Sequence, residues 1–304
     1  MKVDPVELAA QLAEVVDGQI RTDKPLAPFT SYKIGGPTAV WVAPAATMDV
    51  SRALEVIHAN QAPLFILGHG SNLLVSDHGW DGVTLYLGEN FSGWSFDHRK
   101  LNVLAGTLLM DLIRVVVKKG LSGLELLAGI PGAVGGALRM NAGAFGQEIE
   151  QVTLSVSGFR EDGTPFTVDR HEINFDYRRV PELEKVVITS ALFQFAEEDA
   201  GTLRTRMEDI LALRAGKQPL NYPSCGSVFK RPAGYYAGAL IEEIGLKGKR
   251  IGGAMISQKH AGFIINMDNA KAIDVYDLIQ LIEARVLDRF GVQLEREVRL
   301  IGEF

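Results

Sequence analysis

LAGIPGAVGGALRMNAGAFG, Leu127 to Gly146, packs six glycines into twenty residues. A glycine inside a regular helix or strand costs roughly 1 kcal/mol relative to alanine. The stretch therefore predicts irregular backbone rather than the interior of an element. Glycine lets main chain approach a neighbour with no Cβ in the way. A tight turn packed on an adjacent strand accounts for two of these glycines, not for all of them. Their density predicts backbone lying against something flat or bulky.

A second cluster precedes it. LGHGSNLLV, Leu67 to Val75, ends the apolar run APLFILG at Gly68 and continues with Gly70, Ser71 and Asn72. Backbone amides freed by glycine, with serine and asparagine donors beside them, suit a pyrophosphate. No Gly-Lys-Ser/Thr follows, so this is not a P-loop. No helix with a third glycine follows, so it is not a Rossmann turn. The same residues also read as a simple glycine turn after a strand.

Around these clusters the chain alternates helix and strand. Asp4-Pro5-Val6-Glu7 reads as a helix start, with Asp4 as cap and proline in the first turn. AVWVAP (39–44) and APLFILG (62–68) read as strands, with a helix between them capped by Thr47. VTLYL (83–87), NVLAG (102–106), VTLSVSGF (152–159) and VVITSALFQF (186–195) follow as strands. GFREDGTPFTVD reads as a hairpin around Asp-Gly. TLLMDLIRVVVKKG is a helix ended by Gly120, and helical spacing returns from Leu203 to Leu213. A long helix from Ala270 stops at Gly291, flanked by strands GFIIN (262–266) and EVRLIG (297–302). This is an α+β chain. Its expected parts are 1–78, 79–198 and 199–296, with 297–304 a candidate to return to the first part.

The bulk properties narrow the class. At 304 residues the chain exceeds what one core usually organises. Its 47% hydrophobic and 22% charged content is that of a globular protein. A net charge of −6 argues against nucleic acid as the main partner. The single cysteine, Cys225, fits a reducing compartment. The acidic start is a poor signal peptide, and no apolar run reaches membrane-span length. A cytoplasmic enzyme or binding protein with no membrane association is expected. The six histidines show no metal-ligand spacing, so no metal is expected.

Seven stretches together carry a resemblance: TSYKIGG (30–36), LGHGSNLLV, AGIPGAVGGALRMNAGAFG, FDYR (175–178), PSCGSVFKRP, GLKGKRIGGAMIS (245–257) and EREVRLIG (295–302). From about residue 25 onward the chain resembles the UDP-N-acetylenolpyruvoylglucosamine reductases, also called UDP-N-acetylmuramate dehydrogenases, in their shorter form. The resemblance implies a vanillyl-alcohol-oxidase/PCMH-type FAD-binding fold. Two α+β subdomains would hold FAD, and a C-terminal α+β domain would bind substrate. It implies NADPH-dependent reduction of UDP-N-acetylglucosamine-enolpyruvate in peptidoglycan precursor synthesis, with non-covalent FAD and no obligate protein partner.

The resemblance also assigns residues. Arg178, Ser227 and Glu297 match the catalytic positions: a carboxylate grip, a proton donor and an assisting acid. Tyr32, Gly35, Gly68, His69, Gly70, Ser71, Asn72 and Leu73 would bind FAD. So would Gly129, Ile130, Pro131, Gly135, Gly136, Asn141, Gly143, Ala144 and Ile188. Tyr177, Arg178, Lys230, Tyr236 and His260 would contact substrate, with Tyr235 a further candidate. Val180 stands where many relatives carry a small hydroxyl residue. Three rivals remain open on the residues alone. They are another flavin oxidase of the same fold, a cysteine hydrolase centred on Cys225, and a non-catalytic nucleotide-sugar binder.

Overall fold

Asp4 starts the first helix by accepting hydrogen bonds from the amides of Val6 (2.8 Å) and Glu7 (3.2 Å). The helix runs Pro5–Val15 and buries Leu8 and Leu12. The computed structural model describes residues 3–304. The chain forms two units. Unit 1 comprises the residues up to Lys24, Ala39–His69 and Asp81–Ala212. Unit 2 comprises Pro25–Thr38, Gly70–Trp80 and Leu213–Phe304. These cut the chain differently from the three sequence segments, because pairings between distant residues decide unit membership.

Unit 1 holds two large sheets. In the first, the strand order is Gly18–Pro25, Pro37–Pro44, Trp80–Tyr86, Leu64–Leu67, the last two parallel. Helices Pro5–Val15 and Thr47–Ala59 pack on it through Leu8, Leu12, Val50, Leu54 and Ile57. Thr47, expected as the cap of the second helix, is its first helical residue. Ala46 precedes it, and the Asp49 carboxylate accepts from the Ala46 amide at 3.0 Å. An acidic residue in the first turn thus serves where the sequence reading placed a hydroxyl.

The second sheet is antiparallel, in the order Pro165–Asp169, Thr153–Arg160, Val186–Gln194, Lys100–Leu104, Trp94–Asp97. The Asp-Gly hairpin joins its first two strands, with the Arg160 amide bonded to the Thr164 carbonyl. Helix Leu109–Lys118 covers the sheet with Leu109, Leu112, Ile113, Val116 and Val117. The glycine stretch corrects the sequence reading. Val134–Arg139 inside it is a short α-helix. Gly135 sits there because an added Cβ would lie 3.0 Å from the Ala105 Cβ. Helix and sheet edge approach more closely than alanine permits, which outweighs the intrinsic cost of glycine.

Unit 2 is built on the helix Ala272–Phe290, whose Val275, Leu278, Ile279, Ile282 and Val286 are buried. It packs with the sheet Arg250–Ile251, Ala254–Ile256, Ile264–Asn266 and the helix Ala237–Glu243. Gly291 ends the long helix at φ 67°, as its position in the sequence predicts. The chain end returns: Arg299–Ile301 pairs in parallel with Leu73–Val75. Asp77 fixes that segment to the long helix by accepting from the amides of Ala272 (2.8 Å) and Ile273 (3.1 Å). Two first-turn amides that the helix itself cannot pair are satisfied by one carboxylate from a distant residue.

Asp77→Ala leaves those amides unpaired. It should lower the unfolding free energy of unit 2 by about 1–2 kcal/mol, measured by denaturant titration against Glu243→Ala as a surface control.

Candidate active site

Ser227 and Glu297 lie on neighbouring segments of unit 2, joined by an isolated antiparallel bridge between Phe229 and Arg296. The segment Cys225–Lys230 runs beside residues 295–298. The Val228 carbonyl accepts from the amides of Glu297 (2.8 Å) and Val298 (3.2 Å), and the Lys230 amide donates to Glu295 O at 2.9 Å. On its other side the Val228 amide donates to Gly262 O at 3.0 Å. The residue after Ser227 is therefore held from both sides. Asn72 adds a further tie: its Nδ2 donates to the Glu297 carbonyl at 3.0 Å, while its own carbonyl accepts from the Arg299 amide at 3.0 Å.

Cys225 lies two residues before Ser227, 4% exposed, in the core of unit 2 beside Tyr32. Burial pushes its thiol from an ordinary 9.0 up to about 12, and the nearby Glu297 carboxylate pushes the same way; the Tyr32 hydroxyl opposes both. A nucleophilic cysteine needs a stabilised thiolate. This one has the reverse, which removes the hydrolase reading. Tyr32, expected at the cofactor, is 0% exposed and packs against Cys225 in that core. Burial also raises its hydroxyl well above the usual range.

The expected substrate contacts of unit 2 are varied. Lys230 is ion-paired with Glu295 at 2.5 Å, a partner the sequence reading missed although it stands in the quoted EREVRLIG. Tyr236 is exposed, with the Arg231 guanidinium 4.0 Å over its ring; Tyr235 is also exposed. His260 is half-buried, and its Nδ1 accepts from the Gly262 amide at 3.1 Å. Burial lowers its pKa. The imidazole is thus set up as a neutral group with its proton on Nε2.

Arg178 belongs to unit 1. It sits in a tight turn closed by reciprocal bonds between Asp176 and Arg179, at 2.9 and 3.3 Å. Its backbone adopts φ 56°, rare for any residue but glycine and costing of order 1 kcal/mol. Its guanidinium donates to Gly143 O (2.8 Å) and Asn141 O (3.4 Å), inside the glycine stretch. It also lies 5.0 Å over the half-exposed Tyr177 ring. Val180, the departure in this region, is a core residue of unit 1.

The remaining cofactor positions sort by what stands beside them. A Cβ on Gly35 would meet Val75, on Gly70 the Phe29 carbonyl at 2.2 Å, and on Gly143 the Glu148 side chain. These glycines serve close packing within the protein. Gly136 has no protein atom within 4 Å of such a Cβ, and Gly68 only Ala133 at 3.8 Å. Both belong to unit 1 and leave open space beside bare backbone. Asn141 is 0% exposed, and its Oδ1 has no hydrogen-bonding partner. Ile188 is buried in the unit 1 core, and Ile130 packs against it. Leu73 pairs with Arg299, Ala144 lies in the two-residue strand Gly143–Ala144, and His69, Gly129, Ser71 and Pro131 lie in turns and loops. Open space at two glycines and a buried acceptor fit a bulky cofactor with hydrogen-bond donors. Among the described residues no cluster of three or more His, Cys, Asp or Glu could hold a metal, and no helix is long and apolar enough to cross a membrane.

An FAD binding domain profile matches residues 38–169, which contain both glycine positions and Asn141. With the α+β architecture, this defines a FAD-containing oxidoreductase of the vanillyl-alcohol-oxidase/PCMH-type fold. A second profile, the C-terminal domain of UDP-N-acetylenolpyruvoylglucosamine reductase, matches residues 218–301, where Ser227 and Glu297 lie. The reductase of that name from Pediococcus pentosaceus is 44% identical over 287 residues, 94% of this chain and 95% of that protein. That of Clostridioides difficile is 38% identical over 93% of this chain and 94% of its own. The crystal structure of the reductase from Thermus caldophilus is 34% identical and superposes with a TM-score of 0.79, covering 93% of this chain and 98% of that one. The chain belongs to the UDP-N-acetylenolpyruvoylglucosamine reductase family.

The Cys225 assignment is testable by thiol titration. At pH 8 the native protein should react with a disulfide reagent at under about one-hundredth of the rate in denaturant, and Cys225→Ala should retain activity. Because the folded thiol holds its proton beyond the unfolded value, its contribution to stability is full below pH 9.0 and is lost as pH rises towards about 12. Cys225→Ala should therefore flatten the alkaline decline of stability.

Proposed function

We propose that this chain reduces the enolpyruvyl ether of UDP-N-acetylglucosamine-enolpyruvate to UDP-N-acetylmuramate, with NADPH as electron source and Ser227 as proton donor. The step belongs to peptidoglycan precursor synthesis. The observation that supports the residue assignment is the doubly bonded Val228 carbonyl, which ties the segment of Ser227 to that of Glu297.

FAD, when bound, supplies hydride transfer, which no side chain can perform. Gly68 and Gly136 leave room for it, and Asn141 offers a buried acceptor. The side chains supply the rest. Hydride addition at the β-carbon of an acrylate-like group moves negative charge onto its carboxylate. Arg178 has a planar, permanently charged fork suited to hold that carboxylate as charge develops. Ser227 gives its hydroxyl proton to the α-carbon. An alcohol is an adequate acid when the acceptor is a carbanion and the O–H is placed at the carbon. Glu297 assists at the enol by hydrogen bonding or with a proton.

Lys230 is proposed to hold a diphosphate or carboxylate of the substrate, exchanging its partner Glu295 for it. Tyr177, Tyr236 and His260 are proposed to line the sugar-nucleotide site, His260 as a neutral donor. NADPH and the sugar nucleotide are proposed to use one site in turn, giving a ping-pong scheme. Partners are small molecules, and the setting proposed is the cytoplasm.

Ser227→Ala separates the two halves. NADPH should still bleach the flavin at a near-native rate. Reoxidation by the enolpyruvyl sugar nucleotide should slow by roughly a thousandfold. Near-native reoxidation in stopped flow would remove Ser227 as the proton donor.

A further inference from the structure

Asn141 does more than line the glycine stretch. Its backbone turns at φ 40° and its side chain is completely buried. The amide Nδ2 donates to Glu148 Oε2 at 2.8 Å and reaches the Asp176 carbonyl at 3.4 Å. Both partners are acceptors, so the orientation of the amide is determined: a flip would set Oδ1 against two oxygens. Its backbone carbonyl accepts from Arg178 Nη1, while Gly143 O accepts from Arg178 Nη2. Asn141 thus touches the arginine turn twice, at the Asp176 carbonyl that opens it and at the guanidinium itself. Glu148 closes the circuit. It pairs with Gly143 across the Gly143–Ala144 and Gln147–Glu148 hairpin and receives the Asn141 amide.

A positive φ alone does not explain this residue. Glycine tolerates that backbone at lower cost than asparagine, yet glycine would lose both donors. The uncompensated Oδ1 is a further expense of keeping an amide in a dry place. What asparagine supplies, and glycine cannot, is the link from Glu148 to the arginine turn.

We infer that Asn141 is a positioning residue for Arg178, latching the Asp176–Arg179 turn onto the glycine stretch so that the guanidinium is placed for the substrate carboxylate. This rests on the reading of Arg178 as the carboxylate grip. It makes placement of the cofactor stretch and of the arginine one event, because the same peptide groups serve both.

Asn141→Gly isolates the link, since it keeps the turn and removes the amide. In the FAD-loaded enzyme the quantity read is reoxidation per bound flavin, set against the rate at which NADPH reduces the same variant. Reoxidation by the enolpyruvyl sugar nucleotide should slow by between about tenfold and a hundredfold. In the Arg178→Lys background the same change should add under twofold, because its effect passes through the arginine. In flavin-free protein, limited trypsin digestion should cut after Arg178 several-fold faster than in the native chain. If Asn141→Gly fails to fold, the pair Asn141→Asp with Glu148→Gln restores the tie to residue 148 in reversed polarity but not the bond to Asp176 O. It should fold with lowered thermal stability, because a carboxylate oxygen then faces the Asp176 carbonyl, and show the same slow reoxidation. Normal reoxidation in these variants, or a full additive loss in the Arg178→Lys background, overturns the inference. An unimpaired Arg178→Lys enzyme overturns the reading of Arg178 itself.

Discussion

The Val228 carbonyl is the point on which the placement of the Ser227 and Glu297 segments depends. Two amides of the C-terminal segment converge on it, and the Val228 amide is bonded on the opposite side to Gly262. The acid role proposed for Ser227 requires its hydroxyl to be held in place. The backbone beside it is pinned from both sides at Val228, whose own side chain carries no charge. Asn72 and the parallel pairing of Leu73–Val75 with Arg299–Ile301 then fix the residues around Glu297. Asp77 ties the Leu73–Val75 segment to the long helix. Placement of one carboxylate near the chain end thus reaches back to residues in the first quarter of the sequence.

Arg178 is handled by a different device. A long, flexible side chain carries a large conformational entropy, so the carboxylate grip proposed for Arg178 requires it to be held before substrate arrives. Here the turn is strained and the guanidinium rests on two main-chain carbonyls. Carbonyls hold a guanidinium more weakly than a carboxylate does. The contacts therefore orient the arginine without competing strongly with a charged ligand.

Much of this was legible in the sequence, where the signal is local. Asp4 and Gly291 mark helix ends because capping is a matter of a few neighbouring residues. The apolar strands and the Asp-Gly hairpin are readable for the same reason. The strand Gly18–Pro25 was not, because it is mostly exposed and carries no apolar alternation. The helix Val134–Arg139 was masked by its own glycines, of which Gly135 meets Ala105, 30 residues away. Of the site, the long motifs yielded the residue types. They did not reveal that Gly70 and Gly143 serve packing, that Tyr32 is core, or that Glu148 and Glu295 are partners. Those facts depend on which distant residues meet, and no window of sequence contains them.

The composition of unit 2 has a consequence for how the protein is made. Its early segments, Pro25–Thr38 and Gly70–Trp80, leave the ribosome well before Leu213–Phe304 exists. Every residue assigned to unit 1 is synthesised before Leu213. The strand Leu73–Val75 stays without Arg299–Ile301 until those residues are made. Translation thus imposes an order that neither unit's final contacts reveal: the apolar Leu74 and Val75 must be kept from other edges throughout synthesis. A chain stalled between Ala212 and Arg299 would carry a complete set of unit 1 residues and an unprotected strand.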